Sequence, residues 1–183
     1  MKETNIVDNR IGDNLQGLLD LFDYVRDHTD PEYIIEVGSF IGASTVQFAK
    51  AFPDSTIFAV DMWKDDFDPN DPICQFDMAT AEKMFDNATK DYYNIVKIKM
   101  SGIDFADVIQ NSWFEFIYID ANHSYHGCSE DIAAFSCKVA ANGILAGHDY
   151  IDEDYTKVTK AVNESFSKEN IKTFVDTSWC VQL

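Results

Sequence analysis

Two short segments of the chain gather residues able to bind a metal or move a proton. Asp120-Ala121-Asn122-His123-Ser124-Tyr125-His126 holds a carboxylate and two imidazoles, and His148-Asp149-Tyr150 adds one of each. Three of the protein's four histidines fall in these segments. Two chemistries suit the set. In the first, Asp120, Asp149 and His148 offer oxygen and nitrogen ligands to a divalent cation such as Mg or Mn, which would hold and acidify a substrate hydroxyl. His123 would then take the proton, since imidazole with an unperturbed pKa of about 6.5 is a workable base at neutral pH. In the second, no metal binds and His123 or His148 acts alone as the base.

A second constellation lies earlier. Glu36-Val37-Gly38-Ser39-Phe40-Ile41-Gly42 runs from an apolar β-rich segment into a helical one. Gly38 permits a backbone angle and a close ligand approach that a side chain would forbid, and Gly42 favours tight packing of helix and strand. The spacing is G-x-x-x-G with an acid two residues ahead. It is neither the G-x-G-x-x-G of a dinucleotide site nor a P-loop, because Ser44 and Thr45 follow without a lysine. An acid at the mouth of such a turn suits a positively charged cofactor better than a diphosphate. Asp61, at the end of the next β segment, is placed to accept hydrogen bonds from ribose hydroxyls. The plainer alternative is that the glycines only shape the turn and Asp61 only ends its strand.

The elements that must carry these residues alternate along the chain. Helical spacing of Leu15, Leu18, Leu19, Phe22 and Val25 predicts a helix over 12–28. Strands are expected at Tyr33–Val37, Thr56–Val60, Asn94–Lys99, Phe114–Asp120 and Gly143–Gly147. Helices are expected at Ala43–Phe52, 78–91, Asp104–Gln110, Ser129–Val139 and 155–167. Ile171–Val175 and Ser178–Leu183 read as a hairpin about Asp176-Thr177. An acidic loop rich in Pro and Asp spans Met62 to Asp77. This alternation predicts an α/β, doubly wound, mostly parallel seven-stranded sheet of Rossmann-like type with a C-terminal antiparallel hairpin. Ligands in such sheets bind beyond the carboxyl ends of the strands. Glu36, Asp61, Ser101, Asp120 and His148-Asp149 all sit at those ends.

Taken in order, Glu-Val-Gly-Ser-Phe-Ile-Gly-Ala-Ser-Thr, Val-Asp-Met-Trp, Ile-Asp-Ala-Asn-His-Ser-Tyr and Gly-His-Asp-Tyr resemble the class I S-adenosylmethionine-dependent methyltransferases. The resemblance is to a small single-domain group related to macrocin-type and catechol-type O-methyltransferases, over about Tyr33 to Leu183. It implies S-adenosyl-L-methionine as cofactor. Glu36, Gly38, Ser39, Gly42 and Ser44 would line its methionine part, and Asp61 its ribose. Met62 and Trp63 would cover the adenine face, Ser101 and Gly102 would follow the adenine edge, and Asp120 would close the site. In the catechol-type enzymes the base stands three residues after the first metal aspartate, the offset of His123 from Asp120. Those enzymes place an asparagine after the second aspartate, where this chain has Tyr150. Nitrogen methyltransferases that carry an Asn/Asp-Pro-Pro-aromatic turn after strand four differ here, where Asp-Ala-Asn-His stands instead.

Composition narrows the partners. The 183 residues suit one domain over 1–183, with 1–30 a helical segment contributing to a substrate cap. Fourteen Lys and Arg against 32 Asp and Glu give a net charge of −18, which disfavours nucleic acid and anionic membranes. No apolar run is long enough to span a bilayer, and the expectation is a cytoplasmic protein. Cys74, Cys128, Cys137 and Cys180 form no C-x-x-C pair and are expected to be reduced and mostly buried. The expected function is therefore methyl transfer to a hydroxyl of a small-molecule acceptor, with a homodimer covering the site if the cap is too short. Two other classes stay open: a cofactor-binding module without catalysis, and a metal-dependent hydrolase or oxygenase using Asp120, His123, His148 and Asp149.

Overall fold

The computed structural model describes residues 13–64, 76–151 and 157–183. Apolar runs rich in β-branched and aromatic residues form β1 (Tyr33–Val37), β2 (Thr56–Asp61), β3 (Ile95–Lys99), β4 (Phe114–Ile119) and β5 (Val139–Gly147). Two short strands follow, β6 (Lys172–Thr173) and β7 (Trp179–Gln182). The sheet order is β3-β2-β1-β4-β5-β7-β6. Strands β1 to β5 are parallel. β7 pairs antiparallel with both β5 and β6 and so is the strand that opposes the rest.

Among the described residues, six α-helices cover the sheet: α1 (Asp13–His28), α2 (Ala43–Ala51), α3 (Met78–Thr89), α4 (Gly102–Val108), α5 (Tyr125–Ser136) and α6 (Val158–Ser165). Strand alternation sends Ile34, Ile57, Phe116, Tyr118, Ile144 and Ala146 to one face, against Leu18, Phe22 and Val25 of α1 and Phe48 of α2. On the same side α3 packs Ala81 and Phe85 against Ala59 and Trp63. Ile35, Val37, Ile117, Ile119 and Leu145 face the other way, against Phe105 of α4, Ile132 and Phe135 of α5, and Val158 and Val162 of α6. Both faces are covered, as near-continuous apolar strands require. No helix among the described residues is long and apolar enough to cross a membrane.

The sheet places the crevice. From β1 the chain moves outward through β2 and β3, then returns to the other side of β1 for β4. The order therefore reverses between β1 and β4, and their carboxyl ends flank the point where such sheets bind ligands.

Three boundaries differ from expectation for local reasons. Helix α5 starts at Tyr125 rather than Ser129, because Asn122 Oδ1 accepts from the Ser124 amide at 2.9 Å and Ser124 Oγ caps the Gly127 amide at 3.1 Å. β5 begins at Val139 instead of Gly143, through an irregularity opposite Phe114 and Phe116 with Asn142 at φ 64. The hairpin is wider than a two-residue turn: Asp176 accepts from the Ser178 amide and hydroxyl, both at 3.0 Å, with Thr177 at φ 70. Residues 155–156 of the expected sixth helix, residues 65–75 of the acidic loop including Cys74, and 1–12 of the cap lie outside the described residues. Of the other cysteines, Cys128 and Cys180 are buried and Cys137 is exposed.

Candidate functional site

The glycine loop is shaped by what it approaches. Gly38 has φ +94, and a Cβ there would stand 2.0 Å from the Asp120 carbonyl oxygen. The Gly38 amide donates to Val60 O at 2.8 Å, and the Asp120 amide donates to Val37 O at 2.8 Å. The loop thus ties the ends of β1, β2 and β4 together. Gly42, at φ +83, is also required, although its neighbour is not the one expected. A Cβ there would meet Phe85 at 3.1 Å and Thr89 at 3.3 Å, so the close packing is with α3 rather than with the strand.

Glu36 is fully buried, and its two carboxylate oxygens accept from the hydroxyls of Ser44 and Thr45. Burial raises its pKa to about 7, with the Ser44, Thr45 and Ser39 hydroxyls pulling the other way. Glu36 and Ser44 therefore face each other across the β1–α2 turn and do not reach the crevice. Their role in this structure is to hold the loop. Ser39 is different: its buried hydroxyl makes no hydrogen bond of ordinary geometry.

Asp61 stands at the tip of β2 as expected. Its carboxylate accepts from the Phe40 amide at 2.9 Å and the Trp63 amide at 2.7 Å. Burial raises its pKa, opposed by these backbone donors. Two acceptor oxygens with further lone pairs leave capacity for ribose hydroxyls. Met62 is partly exposed beside it. Trp63 is 5% exposed, tilted against Phe85 with ring centroids 4.8 Å apart, under the Lys97 ammonium, and its Nε1 donates to Phe40 O at 2.7 Å. Its ring is spent on β2–α3 packing. Ser101 caps α4 by accepting from the Asp104 amide at 3.0 Å, and Gly102 opens that helix against Val37.

The polar residues after β4 and β5 converge. His123 Nε2 lies 3.5 Å from Asp120 Oδ1 and 3.3 Å from Asp149 Oδ2. His148 Nδ1 lies 3.3 Å from Asp149 Oδ1 and 3.9 Å from Asp120 Oδ1. All four side chains are partly buried. Asp149 reaches the cluster from a left-handed backbone, φ 62, directly after β5. Among the described residues, Asp120, His123 and Asp149 form a group whose potential ligand atoms all lie within 4.8 Å of one another. The grouping brings His123 into a set the sequence had drawn as Asp120, His148 and Asp149. Tyr150 turns away, its hydroxyl donating to Asn163 of α6 at 2.9 Å.

Two contributors were not foreseen. The Asp176 carbonyl lies 2.6 Å from His148 Nε2, with Thr177 Oγ1 at 3.2 Å from the same nitrogen. Backbone partners leave no trace in a sequence motif. Asp131 is a buried acid on α5 beside Gly102. Its signal was available: it falls among Cys128, Ile132 and Phe135 on an apolar stripe.

Comparison with known proteins agrees with this geometry. The family model described as a methyltransferase domain matches residues 35–150, more than half of the chain, from within β1 through the His148-Asp149 pair. A protein designated as a candidate caffeoyl-CoA O-methyltransferase, from Staphylococcus aureus, is similar with a TM-score of 0.64 at 15% identity, over 94% of this chain and 84% of that one. The S-adenosylhomocysteine-bound methyltransferase PaMTH1 of Podospora anserina is similar with a TM-score of 0.62 at 14% identity, over 94% and 80%. Precorrin-6y C5,15-methyltransferase of Geobacter metallireducens gives 0.55 at 13%, over 79% and 67%. At these identities the likeness is one of fold. No curated protein sequence matches the chain.

Proposed function

Because the chain belongs to the methyltransferase-domain family, within the class I S-adenosylmethionine-dependent methyltransferases, we propose that it transfers a methyl group to a hydroxyl of a small-molecule acceptor. The observation that carries the acceptor chemistry is the convergence of Asp120, His123, His148 and Asp149 just beyond the cofactor loop.

The residues fit S-adenosylmethionine. Gly38 lets the β1–α2 turn close against the Asp120 carbonyl at the mouth of the crevice, Ser39 holds a buried hydroxyl in that turn, and Asp61 has capacity left for the ribose. When bound, this cofactor supplies an electrophilic methyl on a sulfonium and a neutral thioether as leaving group. The chain's part is alignment, since such a displacement depends mainly on bringing nucleophile, methyl and sulfur into line.

The donor set also fits a divalent cation. Candidate ligand atoms of Asp120, His123 and Asp149 all lie within 4.8 Å of one another, and His148 Nδ1 lies 3.3 Å from Asp149 Oδ1. Asp120 and Asp149 would hold it with His123 or His148 as the nitrogen ligand, and it would supply an acidified, oriented acceptor hydroxyl. His148 has the usual arrangement of a ligating histidine, one ring nitrogen toward the cluster and the other donating to a carbonyl, at 2.6 Å from Asp176 O. With His148 as that ligand, His123 Nε2 would take the hydroxyl proton as the oxygen–carbon bond forms.

A net charge of −18 favours a neutral or cationic small molecule over nucleic acid or an anionic membrane. The test is a thermal-shift and calorimetric titration with S-adenosylhomocysteine, with and without Mg or Mn, followed by labelled methyl transfer to a panel of phenols, catechols and sugars. Stabilisation by S-adenosylhomocysteine and His123-dependent methylation of oxygen acceptors are expected. Failure to bind the ligand sinks the reading, and turnover of amines alone sinks its oxygen specificity.

A further inference from the structure

Asp149 stands on a left-handed backbone, φ 62, and the residues on both sides of it are held by one turn. That turn, residues 174–178, links β6 to β7. The Asp176 carbonyl lies 2.6 Å from Nε2 of His148, and Thr177 Oγ1 lies 3.2 Å from the same nitrogen. On the other side of Asp149, the Tyr150 amide donates to the Thr177 carbonyl at 2.9 Å. The ladder between β5 and β7 ends at Gly147 and Trp179, so these contacts lie beyond the sheet's own pairing. A left-handed residue other than glycine persists where its surroundings over-determine it, and here the turn does so from both sides.

The turn is in its own right shaped by a buried acid. The Asp176 carboxylate accepts from the Ser178 amide and from the Ser178 hydroxyl, each at 3.0 Å. That hydroxyl, its hydrogen given to Asp176, is left to accept from the Tyr118 hydroxyl of β4, 3.2 Å away. An aspartate that bonds the backbone two residues on imposes a turn, and this one closes with Thr177 at φ 70. Backbone bonds from Thr177 to Phe174, at 3.1 Å, and from Phe174 to Ser178, at 2.8 Å, complete it. The closed turn is the form in which the carbonyls of Asp176 and Thr177 reach His148 and Tyr150.

Resting on the reading of Asp120, His123, His148 and Asp149 as the methyl-transfer site, we infer that Asp176 is a positioning residue for it. Its carboxylate closes the turn, and the turn holds the His148 ring and the Asp149 backbone in the orientation that faces them to His123 and Asp120. Ser178 and Tyr118 tie the same carboxylate to β4, the strand that ends at Asp120. The role needs an acceptor oxygen at Asp176 and not its charge, because both bonds it receives come from neutral donors.

The experiment compares Asp176→Ala with Asp176→Asn in the full chain. Asparagine keeps an acceptor oxygen for the Ser178 amide and the size that fits beneath Gly17 of α1, and alanine keeps neither. Long-range 1H–15N spectra should show His148 in a single tautomer in wild type and Asp176→Asn, and in a mixture of the two in Asp176→Ala. In labelled methyl transfer Asp176→Ala should lose about 10- to 100-fold in kcat, the range for removing a group that orients a ligand or base from behind. Its KM for S-adenosylmethionine should stay within about 3-fold of wild type, as should every constant of Asp176→Asn, since the cofactor loop lies on β1 and β2. If Asp176→Ala does not fold, Ser178→Ala takes its place, with a smaller change in the same direction. An unchanged His148 spectrum in the folded variant overturns the inference. So does an Asp176→Asn as impaired as Asp176→Ala, because the charge would then be what matters. Failure of wild type to bind S-adenosylhomocysteine sinks the functional reading alone, and the spectra still decide the role of Asp176.

Discussion

The ring nitrogen Nε2 of His148 lies 2.6 Å from the backbone carbonyl of Asp176, in the turn that links β6 to β7. A carbonyl only accepts, so Nε2 carries a hydrogen, and Nδ1 is the ring nitrogen that faces Asp149 and Asp120. The C-terminal hairpin thereby sets the tautomer of a residue at the far end of β5. Long-range 1H–15N spectra of the neutral imidazole should show Nε2 protonated and Nδ1 bare. The opposite tautomer would remove His148 as a ligand through Nδ1.

Asp149 stands between the two imidazoles, 3.3 Å from each. Asp149→Ala should abolish any Mn-dependent rise in melting temperature while changing S-adenosylhomocysteine affinity by less than about 3-fold, because the cofactor loop lies on β1 and β2. Thermal scans with and without Mn, and again after EDTA, measure this. A Mn-dependent shift that survives in the variant would place the cation elsewhere.

Gly38→Ala tests the cofactor loop. The added methyl would stand 2.0 Å from the Asp120 carbonyl, on a backbone at φ +94. Steric conflict with backbone has no cheap relief, so a loss of about 2–4 kcal/mol in stability and of detectable cofactor binding is expected. Urea denaturation and calorimetry read the two effects. A stable variant with normal binding would mean that the turn between β1 and α2 has more room than its geometry allows.

The sequence carried the sheet well, because parallel strands buried on both faces leave apolar runs such as Phe114–Ile119 that few other structures tolerate. It also carried the strand-end acids, since Asp61 and Asp120 interrupt those runs at their tips. It carried less about side-chain direction. Glu36 looked like a ligand contact because it precedes Gly38, yet its position inside β1 turns it under α2 toward Ser44 and Thr45. Trp63 follows Asp61 in sequence, but a left-handed backbone at φ 42 swings its ring onto Phe85. Contacts made by backbone groups, such as Asp176 O on His148, have no residue signature at all.

The buried Glu36 predicts a pH dependence. Its folded pKa of about 7 exceeds the ordinary glutamate value of 4.5, so the folded state holds the proton more tightly than the unfolded chain. The resulting contribution to stability is present below pH 4.5 and is lost as pH rises to 7. Asp131 behaves alike between 3.8 and about 7. Glu36→Gln removes the first of these, and its stability relative to wild type should improve between pH 5 and pH 8 by on the order of 2 kcal/mol. Urea denaturation at several pH values checks it. A difference that stays flat with pH would mean that Glu36 remains ionised in the fold throughout.

Gly17 offers a prediction whose sign opposes helix propensity. It lies inside α1, where replacing glycine by alanine ordinarily stabilises by about 1 kcal/mol. Here a Cβ would stand 2.1 Å from Asp176 Oδ1, 2.3 Å from its Cγ and 2.6 Å from its backbone nitrogen. Gly17→Ala should therefore destabilise, by roughly 2 kcal/mol net, as an overpacked contact does. Because Asp176 also anchors His148 through its carbonyl, the variant should lose methyl-transfer rate while keeping its S-adenosylhomocysteine affinity. Adding Asp176→Ala should restore only part of the stability, since the backbone nitrogen remains in the way. If Gly17→Ala proves more stable than wild type, α1 sits further from the hairpin than this contact requires, and its link to His148 falls.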